Sequence, residues 1–405
     1  MRDSSLENRA KSTHSSICNA MYNVEQFSKD VASRKRRILE FFSAVDSDWD
    51  NFEWQMENRI STLDVLDALF GLSAERREAI KSVNYRWSVT PYYLSLVDVE
   101  NAFDEIGLMA LPCIDEMIAI GEPDPMSEEQ SNPAGAITRR YPDRCIINVT
   151  NKCGMYCRFC QRKRKIGGVD RHTDAARIRE SIDYIREHTS LRDILITGGD
   201  PLTLATNMLE DIVREIRSIP HVEIIRIGTR VPVTVPQRID DELVGMLKKY
   251  HPLYVNVQFN HPKEITACAE KACATLANAG IPLGNQMVLL KGVNDNKHVV
   301  MDLNRKLLKS RVKPYYIFHA KNVQGAAHFQ CDLNTGLDII DNLIGNTTGM
   351  ARPHYIINAK SGLGKIPLLR PKYREIDGNK FELTTWEDKT IVCCQNGRDW
   401  DGGRV

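Results

Sequence analysis

Polar and apolar positions divide the chain into two regimes. Up to about residue 130, apolar residues recur at helical spacing, as over 30–43 and 60–70, and 74–78 opens a further run. That period predicts helices and gives no strand signal. From residue 145 the pattern changes to short apolar runs separated by amphipathic stretches. The runs near 145–150, 193–197, 223–228, 253–259, 284–290 and 314–318 read as strands, and the stretches between them as helices. Such alternation predicts an α/β fold of parallel strands and crossover helices, and six units fit a partial (β/α)6 barrel. A polar, proline-containing stretch, 121–133, reads as a link between the regimes. A further apolar run, 354–359, precedes a glycine-rich turn at 361–365, and the tail after Pro371 is polar with short strand-like pieces. The expected organisation is an α-helical N-terminal region, 1–130, a barrel, 131–345, and a short C-terminal segment, 346–405.

Composition narrows the function classes. A chain of 405 residues can bury a large core. Its formal net charge of +1 gives nucleic acid no footing as the main partner. No stretch is long and apolar enough to span a bilayer, and the first residues lack the apolar core of a signal peptide, so no membrane partner and a cytoplasmic location are expected. In a reducing compartment the 11 cysteines are expected to be ligands or buried thiols rather than disulfides. The basic run 158–165 is expected to be a solvated face at Lys163 and Lys165, but not at Arg162.

Three sites carry chemistry. Cys153, Cys157 and Cys160 bring three thiolates together with no fourth close by, which suits an iron–sulfur cube with one open iron. Structural zinc normally takes four ligands in paired spacings, and the later pair Cys393 and Cys394 has the wrong spacing for it. After the second strand come Gly198, Gly199, Asp200 and Pro201, at the end of a parallel strand where such sheets bind ligands. Lys365 ends the turn Ser361-Gly362-Leu363-Gly364-Lys365, which is no phosphate loop but can present an amine for a Schiff base, as pyridoxal phosphate (PLP) requires.

The Cys-x3-Cys-x2-Cys spacing resembles the signature of radical S-adenosylmethionine (SAM) enzymes. A longer series of motifs resembles the lysine 2,3-aminomutase family: 138–144 before the first strand, the cysteines, 198–202, 226–233, 259–262, 284–286 with 292–295, 313–316, 328–329 and 362–365. The resemblance spans about residue 50 to about residue 370. It implies a radical SAM barrel, a [4Fe–4S] cluster, SAM and PLP, and transfer of an α-amino group to the β-carbon. By position, Lys365 resembles the PLP lysine, Arg140, Tyr141 and Arg144 the phosphate-side contacts, and Arg162 the partner of the substrate α-carboxylate. Gly198, Gly199, Asp200 and Gln258 resemble SAM or PLP contacts. The resemblance also implies a homo-oligomer and a one-electron reductant such as flavodoxin or ferredoxin.

Departures from the lysine-specific pattern point to the substrate. Two aspartates that receive a side-chain ammonium in lysine enzymes are here Lys321 and Asn358. An ammonium and an amide favour an anionic side chain, which implies L-glutamate converted to β-glutamate; mutases for lysine, arginine or aspartate, and a non-catalytic iron–sulfur protein, are the alternatives. Asn296 stands where lysine enzymes have a zinc cysteine, so no structural zinc is expected. Gln258 and Phe318 replace a frequent His and Tyr.

Overall fold

The computed structural model describes residues 23–378 and 380–394. At its centre is a nine-stranded sheet whose spatial order follows the chain: β1 (Ile137–Arg139), β2 (Arg144–Asn148), β3 (Asp193–Thr197), β4 (Ile224–Gly228), β5 (Leu253–Val257), β6 (Leu283–Leu289), β7 (Val312–His319), β8 (His354–Asn358) and β9 (Lys365–Leu368). Strands β2 to β8 run parallel, while β1 and β9 are antiparallel at the edges. The six expected strands are β2 to β7. The partial barrel is longer than six units because the 354–359 run adds a parallel strand and the glycine-rich turn feeds an antiparallel one that starts at Lys365.

Local sequence explains the crossovers. Helices Ala175–Glu187, Asp241–Leu247, Ala267–Asn278, Lys297–Lys309 and Leu333–Leu343 each begin after a side chain that accepts from a first-turn N–H, namely Asp174, Asp240, Thr266, Asn296 and Asp332. In β2, β3 and β4, Cys145, Ile147, Ile194, Ile196, Ile225 and Ile227 are buried. The residues between them, including Arg144, Asp193, Thr197 and Arg226, stay half-buried and line the concave face. That face also carries Ile146, Leu195 and Ile224, so it mixes charged and apolar side chains.

The expected N-terminal helices include Val24–Phe41, Leu63–Phe70 and Ala74–Lys81; residues 1–22 lie outside the described residues. Their apolar faces share one hydrophobic cluster with the barrel. Beyond β9, the strands Tyr373–Asp377, Lys380–Thr384 and Thr390–Cys394 form a separate antiparallel sheet. No helix among the described residues is long and apolar enough to cross a membrane.

Candidate active site

Strand β2 runs into the loop that carries Cys153, Cys157 and Cys160, all free thiols. Burial pushes the Cys153 thiol up, and Asp200, Cys157 and Cys160 add to it, so the three sulfurs share one electrostatic neighbourhood. Among the described residues no three His, Cys, Asp or Glu side chains converge as a single metal ion requires. A cube offers a separate iron to each thiolate and does not ask for convergence on a point. Two donors already face the sulfurs: Arg230 Nη1 lies 3.0 Å from Cys157 Sγ and the Arg162 N–H 3.4 Å from Cys160 Sγ. Donors aimed at sulfur favour the thiolate form that a cluster needs.

The N-terminal region clamps this loop. Arg59 Nη1 donates to the Cys153 carbonyl at 2.7 Å, the Tyr156 N–H to Ser88 at 2.9 Å and the Arg158 N–H to Met109 at 3.0 Å. The basic run that follows is no solvated face. Lys163 is 6% exposed, and its ammonium donates to Glu116 at 2.6 Å and to the Gly325 carbonyl at 2.6 Å. Arg158 reaches the same carboxylate at 2.9 and 2.5 Å. Lys165 turns toward Glu128. Spacing alone hides these partners, because both carboxylates come from segments that precede the barrel.

The glycines after β3 press on the cysteine loop. A Cβ on Gly198 would stand 2.5 Å from the Thr150 carbonyl oxygen, and one on Gly199 2.5 Å from that of Lys152; Gly198 also holds a φ of +135°. Close approach is required here, and the partner is the protein's own backbone. The buried Asp200 carboxylate accepts from Thr229 Oγ1 and the Arg230 N–H, each at 2.6 Å, and from the Leu202 N–H at 3.1 Å. It thereby fixes Arg230, whose Nη2 pairs with Glu264 at 2.5 Å and whose Nε donates to the Gln258 carbonyl at 3.1 Å.

At the barrel mouth Lys365 meets Tyr141, Arg140 and Arg144. The Lys365 N–H donates to Tyr141 Oη at 3.0 Å, and the ammonium lies 5.7 Å from the Tyr141 ring and 5.6 Å from that of Tyr316. Arg144 stacks on the same Tyr141 ring, its guanidinium carbon 3.8 Å from the centroid. Lys365 is open to water yet sits in a concave setting, so burial lowers its ammonium to about 8, aided by Arg226 and Arg144 against Asp193. Arg140 donates through Nη2 to the Met126 carbonyl at 2.9 Å, while its buried Nε has no hydrogen-bond partner among the described residues. The open donor and the cationic surroundings fit a phosphate.

Lys321 and Asn358 line one cavity of about 250 Å³, with Pro125, Met126, His319 and Lys360 among its other walls. The Lys321 ammonium donates to Gln161 Oε1. Burial lowers it to about 7; Glu128 opposes that shift, while Arg162, Arg140 and Lys365 add to it. The buried Asn358 Nδ2 has no partner among the described residues. Phe318 lies beneath, its ring centroid 6.0 Å from the Lys321 ammonium. Arg162 is held by Glu128, which sequence reasoning left inside a polar link. That link is a strap across the mouth: Glu122 pairs with Val323, and the Ser361 N–H donates to the Pro125 carbonyl at 3.2 Å. Asn296 uses its side chain to cap a helix, accepting from the His298 N–H at 2.8 Å. The side chain of Cys394 lies outside the described residues, and Cys393 Sγ faces the Phe381 carbonyl.

A half-barrel with three thiols at one strand end and a cation-rich mouth defines a class, and comparison agrees: the family described as the Radical SAM superfamily matches residues 147–303. Among curated relatives, glutamate 2,3-aminomutase of Clostridioides difficile is 52% identical over 367 residues, covering 90% of this chain and 87% of its own. L-lysine 2,3-aminomutase of Acetoanaerobium sticklandii is 45% identical, covering 86% of this chain and 85% of its own, and that of Clostridium subterminale 44%, covering 84% and 82%. The chain belongs to the lysine 2,3-aminomutase family of radical SAM enzymes, which are isomerases that work with SAM and a [4Fe–4S] cluster.

Proposed function

We propose that this chain moves the α-amino group of L-glutamate to the β-carbon, giving β-glutamate, with PLP as its second cofactor. The observation that carries the substrate is the shared cavity of Lys321 and Asn358. The Lys321 ammonium, together with an Asn358 amide that has no partner among the described residues, suits a γ-carboxylate, whereas a lysine side chain would bring a second ammonium beside the first. The relative with the higher identity named above carries glutamate in its name, which supports the same choice.

Cys153, Cys157 and Cys160 would hold the cluster, with Gly198, Gly199 and Gln258 at the adjoining rim toward SAM and Asp200 setting the Arg230 loop. Lys365 would carry PLP, with Arg140, Tyr141 and Arg144 on its phosphate side. When bound, these groups supply a one-electron cleavage of SAM to a 5′-deoxyadenosyl radical and a carrier for the migrating nitrogen. The chain's own residues do the rest. Arg162 receives the α-carboxylate and Lys321 the γ-carboxylate, which fixes the β-carbon between two anchors. Lys365, its ammonium lowered to about 8, reaches the neutral amine that can attack a carbonyl carbon near neutral pH. The strap 121–133 borders the mouth and supplies Pro125 and Met126 to the wall of the Lys321 cavity.

A one-electron reductant of the flavodoxin or ferredoxin kind completes the system. Anaerobically reconstituted and reduced protein, incubated with each amino acid in turn, is expected to yield β-glutamate from L-glutamate. Turnover of lysine alone would overturn the substrate, and the absence of any β-isomer would overturn the reading.

A further inference from the structure

Glu128 lies in the strap, outside any helix or strand, yet it is 3% exposed. Its carboxylate takes one edge of Arg162: Nε stands 3.1 and 3.0 Å from its two oxygens and Nη2 2.9 Å from Oε1. A guanidinium has a side edge, Nε with Nη2, and an end edge, Nη1 with Nη2, each able to take a carboxylate. Here the side edge is filled, and Nη1 makes no hydrogen bond among the described residues. Lys165 at 3.5 Å, Arg164 at 3.7 Å and Arg140 at 3.8 Å crowd the same carboxylate. Asp124 at 2.9 Å and Glu129 at 3.2 Å balance Arg164, which leaves Arg162, Arg140 and Lys165 around one buried anion, and that surplus of positive charge calls for a further anion.

We propose that Glu128 is the positioning residue for the substrate α-carboxylate: it grips the side edge of Arg162 and turns the guanidinium end toward the substrate. The proposal rests on the reading of Arg162 as the α-carboxylate partner. It also gives the strap a double task. Glu128 sets one anchor, while Pro125 and Met126, three and two residues earlier, wall the cavity of the other. The spacing between the anchors is then fixed by a few residues of one segment, which selects for the length of the amino acid as well as its charge.

The test is a set of variants in the holoenzyme, Glu128→Gln, Glu128→Asp and Arg162→Ala, read by L-glutamate binding in calorimetry, by the split between KM and kcat, and by thermal midpoint. Glu128→Gln keeps shape and size and removes the charge. It is expected to raise Kd and KM by about ten- to a hundredfold, the loss typical of a charged hydrogen-bond partner, with a smaller change in kcat. Glu128→Asp should recover part of that loss, and adding Glu128→Gln to Arg162→Ala should cost little beyond Arg162→Ala alone. Unchanged binding in Glu128→Gln while Arg162→Ala loses it overturns the proposal and leaves the Arg162 reading standing. Tighter binding in Glu128→Gln also overturns it, since Glu128 would then be an occupant that the substrate displaces. Unchanged binding in Arg162→Ala overturns the underlying reading itself. A lowered thermal midpoint with unaltered Kd makes Glu128 structural only and overturns the proposal too.

Discussion

The run 158–165 feeds two ion clusters that share a chemistry and differ in depth. Arg158 and Lys163 converge on Glu116, with side chains 1%, 3% and 0% exposed. Arg162 and Lys165 converge on Glu128, where the cations are 12% and 35% exposed around a carboxylate of 3%. In the first cluster the Lys163 ammonium makes three bonds, to Glu116, Arg158 and Gly325, and the carboxylate is shared by both cations. In the second, the Nη1 of the Arg162 end edge and the Arg140 Nε have no hydrogen-bond partner among the described residues, and the nearby Lys321 cavity adds the Asn358 amide in the same state. A closed set of charges builds a scaffold, and a set with donors left over is built to receive something. The count of unfilled donors separates the two more cleanly than the count of charges.

The comparison breaks most visibly at the closed cluster. Replacing Glu116 with alanine leaves two buried cations unpaired, which costs about 3–5 kcal/mol, and thermal unfolding should show a large fall in midpoint with loss of the ordered cysteine loop. Lys321→Ala attacks the open side. Deleting one partner of a buried ion pair on that scale corresponds to about 10²- to 10³-fold in kcat/KM for glutamate, and here the unfolding midpoint should scarcely move. Equal thermal losses in the two variants would erase the distinction between scaffold and receptor.

A smaller effect sharpens the contrast through pH. In the substrate-free protein burial brings the Lys321 ammonium to about 7, so the cation is present below that pH and is lost as pH rises through it. A bound γ-carboxylate holds the proton on, so KM for glutamate should be flat at lower pH and climb above 7 toward about tenfold per pH unit. Lys321→Arg, whose guanidinium stays charged, should flatten the climb. The smallest change is expected from Lys165→Ala. This side chain is partly solvated and stands 3.5 Å from Glu128, so about 0–1 kcal/mol of stability and little activity should be lost in parallel assays.

Most of the barrel was legible because its signal is local: each strand pairs with the strand before it, and each apolar run carries its own period. The cysteine loop, Lys365, Lys321 and Asn358 were legible as positions, and the cavity joins the last two. Lys163 was misread since a basic run looks the same whether its partner is water or a carboxylate 47 residues earlier. Glu128 was missed for the same reason, one acid among several polar residues of a proline-broken stretch. Gly198 and Gly199 were legible as a strand end where ligands bind, although what they press against is the backbone of residues 150 and 152. Burial of a charge in a loop is imposed by distant segments, and no window of sequence contains it.

Lys365 opens the edge strand β9, whose first three residues are exposed, and its backbone bond to Tyr141 joins residues 224 positions apart. Assembly therefore has an order in time. The cysteine loop and the arginines beside Tyr141 leave the ribosome long before the lysine that completes the mouth, and strands paired with their neighbours form ahead of so distant a contact. An edge strand with little buried surface is also the cheapest part of the sheet to open again. The mouth is closed last, and reopened first, at the turn that presents the Lys365 amine, while the barrel beneath stays folded.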